Sequence, residues 1–344
     1  MVTIYDVAKY VGVSKSTVSA VLNKNPSVKE ETRLRVEAAF KELGYVANQN
    51  ARGLAKRETK SIGIVSAVDT RFSRSYEAKN ENGQFVFAVS NGIIDRLSGS
   101  EYSVVTERYN LPDAEGEVPQ IVKSARVDGV ILVGGLFNRE IIDKILAYSV
   151  PVVGIYVDCE GIDTISPDIS AGTYLATDEL LKNGCRNIVL LNAPEAYSTA
   201  ESRSEGWQRA LAKYPDEVVQ HTEVHVSTLT GGGGYLAMKE LWERGVRPDG
   251  ITTAVEAIAL GAMRFLAEQG IRIPRDISVT VLGTSDLSVY AVPPITSVDV
   301  HEEDVGVMAA EMLLKRIRKP DAPIEKRVIG VTLQRRSSVQ SVKL

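Results

Sequence analysis

Residues 3–23 read TIYDVAKYVGVSKSTVSAVLN, and the organisation of the chain can be worked outward from them. Thr3, followed three residues later by Asp6, has capping-box spacing, and Val7, Ala8 and Val11 mark one apolar face of the helix it opens. Gly12 stops that helix, because glycine takes the left-handed closing conformation without a Cβ clash. Ser14 then caps a second helix, Lys15 to about Leu22, with Val18, Val21 and Leu22 facing inward and Lys15, Ser16 and Ala20 left outside. Further on, Ser27 and Glu30 repeat the capping-box spacing ahead of a longer helix striped by Val36, Phe40 and Leu43 and stopped at Gly44. Three helices on one small core, the first two joined by a tight Val11-Gly12-Val13 turn, make a helix-turn-helix unit. The second helix of such a unit can lie in a DNA major groove, although a plain three-helix mini-domain has the same periodicity.

Charge favours the DNA-binding reading without excluding the other. The 344 residues carry a net −4, but residues 1–60 hold 11 Lys+Arg against 6 Asp+Glu, net +5, and the remainder holds 29 against 38, net −9. Phosphate neutralisation dominates affinity for DNA, so a basic head on an acidic body meets DNA head first. With 44% hydrophobic and 24% charged residues the chain is globular, and its length suits about two domains. Apolar runs of four to seven residues and no export signal after Met1 predict a cytoplasmic protein with no membrane partner.

Other chemistries find little support. Cys159 and Cys185 cannot make a disulfide framework, and His221, His225 and His301 lack ligand spacing, so neither a metal nor a cofactor is expected. Gly231 to Gly234 lack a following Gly-Lys-Ser/Thr and read as the start of a helix. Asp163, Asp168, Glu256 and Asp286 could suggest paired carboxylates, yet no Gly-x-Ser-x-Gly or His-Glu-x-x-His occurs, and no catalytic residue is assigned. Trp207 and Trp242 read as core residues.

From Ser61 the pattern changes to apolar strands (SIGIV, YSVVT, VDGVILVGG, VPVVGIY, NIVLLN, DGITTAV, ISVTVLG) separated by amphipathic helical stretches. That alternation predicts parallel sheets covered on both faces, as one large doubly wound domain or two in tandem, with ligands beyond the strand carboxyl ends.

The elements T-I-x-D-V-A, G-V-S-x-x-T-V-S-x-V-L-N, V-x-x-x-T-R, G-Y and N-x-x-A-R-x-L-A all stand within residues 3–65. In them the chain closely resembles the LacI/GalR family of bacterial transcriptional regulators. The resemblance implies a helix-turn-helix domain at 1–46, a hinge helix or linker at 47–60, and a core at 61–344 like periplasmic sugar-binding proteins. That core would have two doubly wound subdomains, about 61–161 with 291–322 and about 162–290 with 323–344. Carried over, the base-reading positions fall on Lys15, Ser16 and Ala20, flanked by Thr17, Ser19 and Asn23, with Thr3 and Ser14 close to the DNA. Lys15 could donate to guanine, Ser16 to either kind of partner, and Ala20 offers a methyl contact or simply lets the helix approach closely. In the hinge, Ala51, Arg52 and Leu54 meet DNA, with Leu54 the wedge for a central base step and Lys56 and Arg57 near phosphates. By its composition alone ANQNARGLAKRETK is a flexible linker.

The resemblance continues more loosely to PPITSV near residue 298 and places a small-molecule effector, sugar-like, in the core cleft. Arg203, three residues before Gly206-Trp207, stands where the family has its effector-contacting arginine, as an exposed cleft group suited to carboxylate, phosphate or paired hydroxyls. Elsewhere the lining departs. The usual Asn-Asp after Ala254 is Val255-Glu256, and the usual Gly-aromatic-Asp-Asp/Asn is Gly283-Thr284-Ser285-Asp286. Residues 69–87 form a loop about a dozen residues longer than usual, either solvated or a cleft lid. Expected effector contacts are Phe72, Phe85, Arg203, Glu256, Asp286 and Tyr290, for either a modified sugar or an ordinary one seen by different residues. The partners expected are double-stranded operator DNA, the effector, and a second copy of the chain; the last residues, QRRSSVQSVKL, hold no leucine heptad, which favours a homodimer over a tetramer.

Overall fold

The computed structural model describes residues 2–22, 25–45, 58–69, 83–111, 116–157 and 159–341, in a chain that divides into two units, residues 1–59 and 60–344. In the first unit, helices α1 (Ile4–Val11), α2 (Lys15–Leu22) and α3 (Glu30–Glu42) close on Val7, Val18 and Val36, each fully buried. The Thr3 capping box forms: the Asp6 amide donates to the Thr3 hydroxyl at 3.3 Å, and the Thr3 amide donates to the Asp6 carboxylate at 2.8 Å. Gly12 closes α1 at φ 75°, and the Ser14 hydroxyl accepts from the Thr17 amide at 3.1 Å to open α2. The second capping box does not form. The Ser27 amide instead donates to Asn25 Oδ1 at 2.9 Å, an Asx turn ahead of α3, whose first residue follows Lys29 with no side-chain cap.

The second unit holds two six-stranded sheets. The first is ordered β11-β5-β4-β3-β1-β2, from β1 (Ser61–Asp69), β2 (Ser103–Leu111), β3 (Gly129–Val133), β4 (Val152–Ile155), β5 (Asp163–Pro167) and β11 (Lys326–Ile329). The second is ordered β12-β10-β9-β8-β6-β7, from β6 (Asn187–Asn192), β7 (Gln220–His225), β8 (Gly250–Thr253), β9 (Ser278–Leu282), β10 (Thr296–Asp299) and β12 (Thr332–Gln334). Every pairing is parallel except that of β10 with β12, so each half is doubly wound with the same strand order. Helices α4 (Gly83–Leu97), α5 (Gln120–Lys123), α6 (Arg139–Leu146) and α12 (Glu302–Arg318) belong to the first half. Helices α7 (Ile169–Lys182), α8 (Thr199–Ala212), α9 (Gly231–Glu243), α10 (Glu256–Glu268) and α11 (Asp286–Val289) belong to the second.

The subdomain boundaries read from sequence need correction at all three crossings. β5 pairs with β4 and β11 in the first sheet, so the chain leaves that half after Pro167 rather than at 161. β10 pairs with β9 in the second, so the return comes after Asp299 rather than at 291, and β11 keeps residues 326–329 in the first half, beyond the expected 322. These crossing strands are three to five residues long and mix polar with apolar groups, so they carry no run like those of the central strands. Bidentate hydrogen bonds at 2.8 Å join Arg316 of α12 to buried Asp163 of β5, which also accepts from the Glu325 amide; Asp168 caps α7 through the Ala171 amide at 2.8 Å. Both aspartates are structural. Gly231 opens α9 behind the Thr230 cap, Trp207 is buried against the edge of His221, and half-buried Trp242 carries Arg247 3.8 Å from its ring centre.

Candidate functional site

In the head, the exposed face of α2 carries Lys15 and Ser16, with Thr17, Ser19 and Ala20 half-buried beside them. The Ser14 hydroxyl lies 2.7 Å from that of Ser16 and 2.8 Å from that of Thr17, so three hydroxyls cluster at the start of the helix. Lys15 Nζ donates to the Tyr5 hydroxyl at 3.1 Å and sits 4.7 Å from that ring's centre. Tyr5, on α1 and 63% exposed, thus joins the polar face and was missed in the sequence. Its signal was an aromatic opposite the apolar side of α1. Thr3 is engaged in its own cap, while Asn23, Ala51, Arg52 and Leu54 lie outside the described residues.

In the core, residues that follow the carboxyl ends of strands from both sheets enclose a cleft of ≈ 790 Å³. This is where doubly wound sheets bind ligands, and the volume suits a small polar molecule. One wall is Phe85 of α4, edge-on to Tyr156 at 4.8 Å between ring centres. Tyr156 follows β4 at φ 59° and His301 follows β10 at φ 53°; both side chains line the cleft, on left-handed backbone that non-glycine residues seldom adopt. Burial pushes the Tyr156 phenol above its ordinary range, with Glu302 adding to the rise and Arg203 opposing it.

Arg203 reaches the cleft from α8 but is 6% exposed, not the exposed group expected from sequence. One guanidinium nitrogen donates to Thr199 Oγ1 at 2.6 Å, and Nε is buried without a partner among the described residues. Burial lowers its pKa to about 10, with Tyr156 and Tyr197 opposing the fall, so it remains charged at neutral pH. The Arg203 side chain extends from a helix packed against the core, and that packing desolvates it.

Glu256 also lines the cleft, yet its carboxylate is occupied. It accepts from the Ser285 amide and the Ser285 hydroxyl, each at 2.8 Å, and from the Ser288 amide at 3.1 Å. The two departures noted in sequence are therefore one feature: a glutamate after β8 holds the serine loop after β9. Asp286 lines the cleft and is exposed. Tyr290 does not line it; it stands 77% exposed just past α11, a four-residue helix that ends before its ring can turn inward. Phe72 lies outside the described residues.

Sequence reading missed Tyr156, Tyr197, Thr230 and Glu302 as lining residues. Tyr156 had a usable signal, its place at the end of the strand VPVVGI. Glu302 begins α12, half-buried, and burial first, then Asp299, Glu256 and Glu303, raise its pKa to about 7. A Cβ added at Gly283, itself at φ 97°, would stand 3.7 Å from both Glu256 Oε2 and Glu302 Oε1, so the two carboxylates approach one point from two sides.

Comparison with known proteins follows the same division. Residues 3–48 match the bacterial regulatory proteins of the lacI family, and residues 177–339 match a periplasmic binding protein-like domain. The ribose operon repressor of Haemophilus influenzae is 30% identical over 347 residues, covering 100% of both chains. A structure of the lac repressor dimer bound to operator and the anti-inducer ONPF superposes with TM-score 0.80 at 27% identity, over 98% of each chain. A complex of the regulator CelR with cellobiose gives TM-score 0.71 at 27% identity, over 98% of this chain and 100% of the other. A relative matched from end to end at 30% identity, with the head matched separately, places the chain in the LacI family of bacterial regulatory proteins.

Proposed function

We propose that the chain is a transcriptional repressor that binds a pseudo-palindromic operator as a homodimer and whose operator affinity is set by a small polar effector in the core cleft. The observation that carries the effector reading is Arg203: a charged group buried beside an open cleft with a donor unmet among the described residues. An uncompensated buried guanidinium costs stability, and a ligand offering oxygen acceptors removes that cost. Relatives bound to ONPF and to cellobiose support a ligand rich in hydroxyls.

The DNA reading rests on the exposed Lys15 and Ser16 of α2 and the basic charge of residues 1–60. Dimerisation is supported by the likeness to the lac repressor dimer, 27% identical over 98% of each chain. Leu54 acts as the minor-groove wedge of the 47–60 hinge. Because cleft residues come from both halves and the chain crosses between them three times, a ligand touching both favours one relative arrangement of the halves and so shifts DNA affinity. Gel shifts on DNA upstream of the chain's own gene, at two salt concentrations and with a sugar and metabolite panel, test this. Salt-dependent, sequence-selective binding that some panel member alters is expected; sequence-indifferent or salt-insensitive binding overturns it.

A further inference from the structure

Among the described residues, the titratable groups that line the cleft are mostly acidic. Glu256, Asp286, Asp299, Glu302, Glu303 and Asp304 all line it, against Arg203 and His301 on the basic side. Two of these acids are already engaged: Glu256 holds Ser285 and Ser288, and Asp299 accepts from the His301 amide at 2.9 Å. His301 is spent on the same crossing, its ring 2.7 Å from Thr332 Oγ1 and 3.5 Å from Asp299. Glu302 is different. Its carboxylate is half-buried at the crossing between the halves and is satisfied only by its own backbone amide, and no ion pair reaches it among the described residues. Arg203, the basic group that faces the same space, forms no ion pair with it. The cleft therefore holds a buried guanidinium and a half-buried carboxyl group, neither in an ion pair among the described residues, with the Tyr156 ring close enough to feel both.

Resting on the effector reading above, we propose that the effector is an amino sugar or a related polyol amine, its hydroxyl oxygens accepting from Arg203 and its protonated nitrogen lying against Glu302. Hydroxyls alone satisfy hydrogen bonds but leave the carboxylate uncompensated; an ammonium pairs with it where water is scarce and the interaction is least screened. The structure also fixes which residue discriminates. Glu256 is committed to the serine loop, and Asp286, Glu303 and Asp304 are exposed, where an ion pair contributes little.

The test is calorimetry on the full chain at pH 7.5 with matched pairs: D-glucosamine and D-glucose, D-galactosamine and D-galactose, D-mannosamine and D-mannose, together with the N-acetyl forms that remove the charge. In at least one pair the amine should bind on the order of tenfold more tightly than the neutral sugar. N-acetylation should abolish that preference, Glu302→Gln should bring the ratio close to one, and Glu302→Asp should retain part of it. The wild-type comparison stands even where a variant folds poorly. Equal or tighter binding of the neutral member, a preference that survives Glu302→Gln, or a panel in which no amine binds overturns the proposal. A neutral sugar that binds and alters DNA affinity while no amine binds more tightly than its neutral partner leaves the effector-controlled repressor intact and removes only the amine; DNA binding indifferent to every small molecule tested removes the repressor reading itself.

Discussion

Replacing Arg203 with methionine should make the protein more stable while removing its response to effector. The side chain is 6% exposed and, among the described residues, has an unmet donor at Nε and no carboxylate that bonds it. A guanidinium pulled down to about 10 by burial has lost on the order of 3 kcal/mol relative to its solvated state. Methionine fills a similar length of the channel with no charge to desolvate, although it gives up the Thr199 hydrogen bond, a net contribution of about 1 kcal/mol. The expected balance is a gain of roughly 1–3 kcal/mol. Urea unfolding of wild type and Arg203→Met, followed by circular dichroism, reads this as a higher midpoint at unchanged slope. Anisotropy on operator DNA reads the other half as an affinity that no longer changes with ligand. A loss of more than about 1 kcal/mol would mean instead that the guanidinium is compensated in the unliganded protein.

Three further outcomes follow from particular residues. Glu302, raised to about 7, is protonated in the folded chain over a range where it is ionised in the unfolded one. Stability from this group therefore falls as pH rises from the ordinary glutamate range to about 7 and is flat above it; the drop is on the order of 1–3 kcal/mol, and pH-resolved unfolding of Glu302→Gln should lack it. A methyl group at Gly206 would stand 2.0 Å from the Ser170 carbonyl, so Gly206→Ala must push α8 off α7 and should cost roughly 1–3 kcal/mol or more by thermal unfolding. Lys15→Ala should weaken operator binding by about 1–3 kcal/mol and reduce its salt dependence, with the melting temperature unchanged because the side chain is exposed.

How much of this was legible in the sequence depended on where the signal lay. The head was readable almost to the residue, because its caps, turns and apolar faces are local: Thr3 with Asp6, Gly12 and Ser14 all act within four positions. Ser27 failed because a nearer partner, Asn25, took its amide, a competition that spacing alone does not reveal. The central strands announced themselves as apolar runs, whereas β5, β7, β10, β11 and β12 are short, polar or at sheet edges and left no run, which displaced the subdomain boundaries. In the cleft, identity was legible and environment was not. Arg203 was found, yet its burial depends on how α8 packs; Glu256 was found, yet its occupation by Ser285 joins residues 29 apart. Tyr290 shows the opposite failure, since a position near the cleft in sequence turned out to face water once α11 stopped after four residues.

Coupling between cleft and DNA can be measured directly. Anisotropy titrations of the full chain on fragments tiled across the DNA upstream of its own gene, with and without a panel of sugars and amino sugars, should find one fragment bound selectively. Some panel member should change that affinity by about 5–150-fold in wild type and leave it unchanged in Arg203→Met. Selective binding that no panel member alters, or an identical ligand response in Arg203→Met, would contradict it.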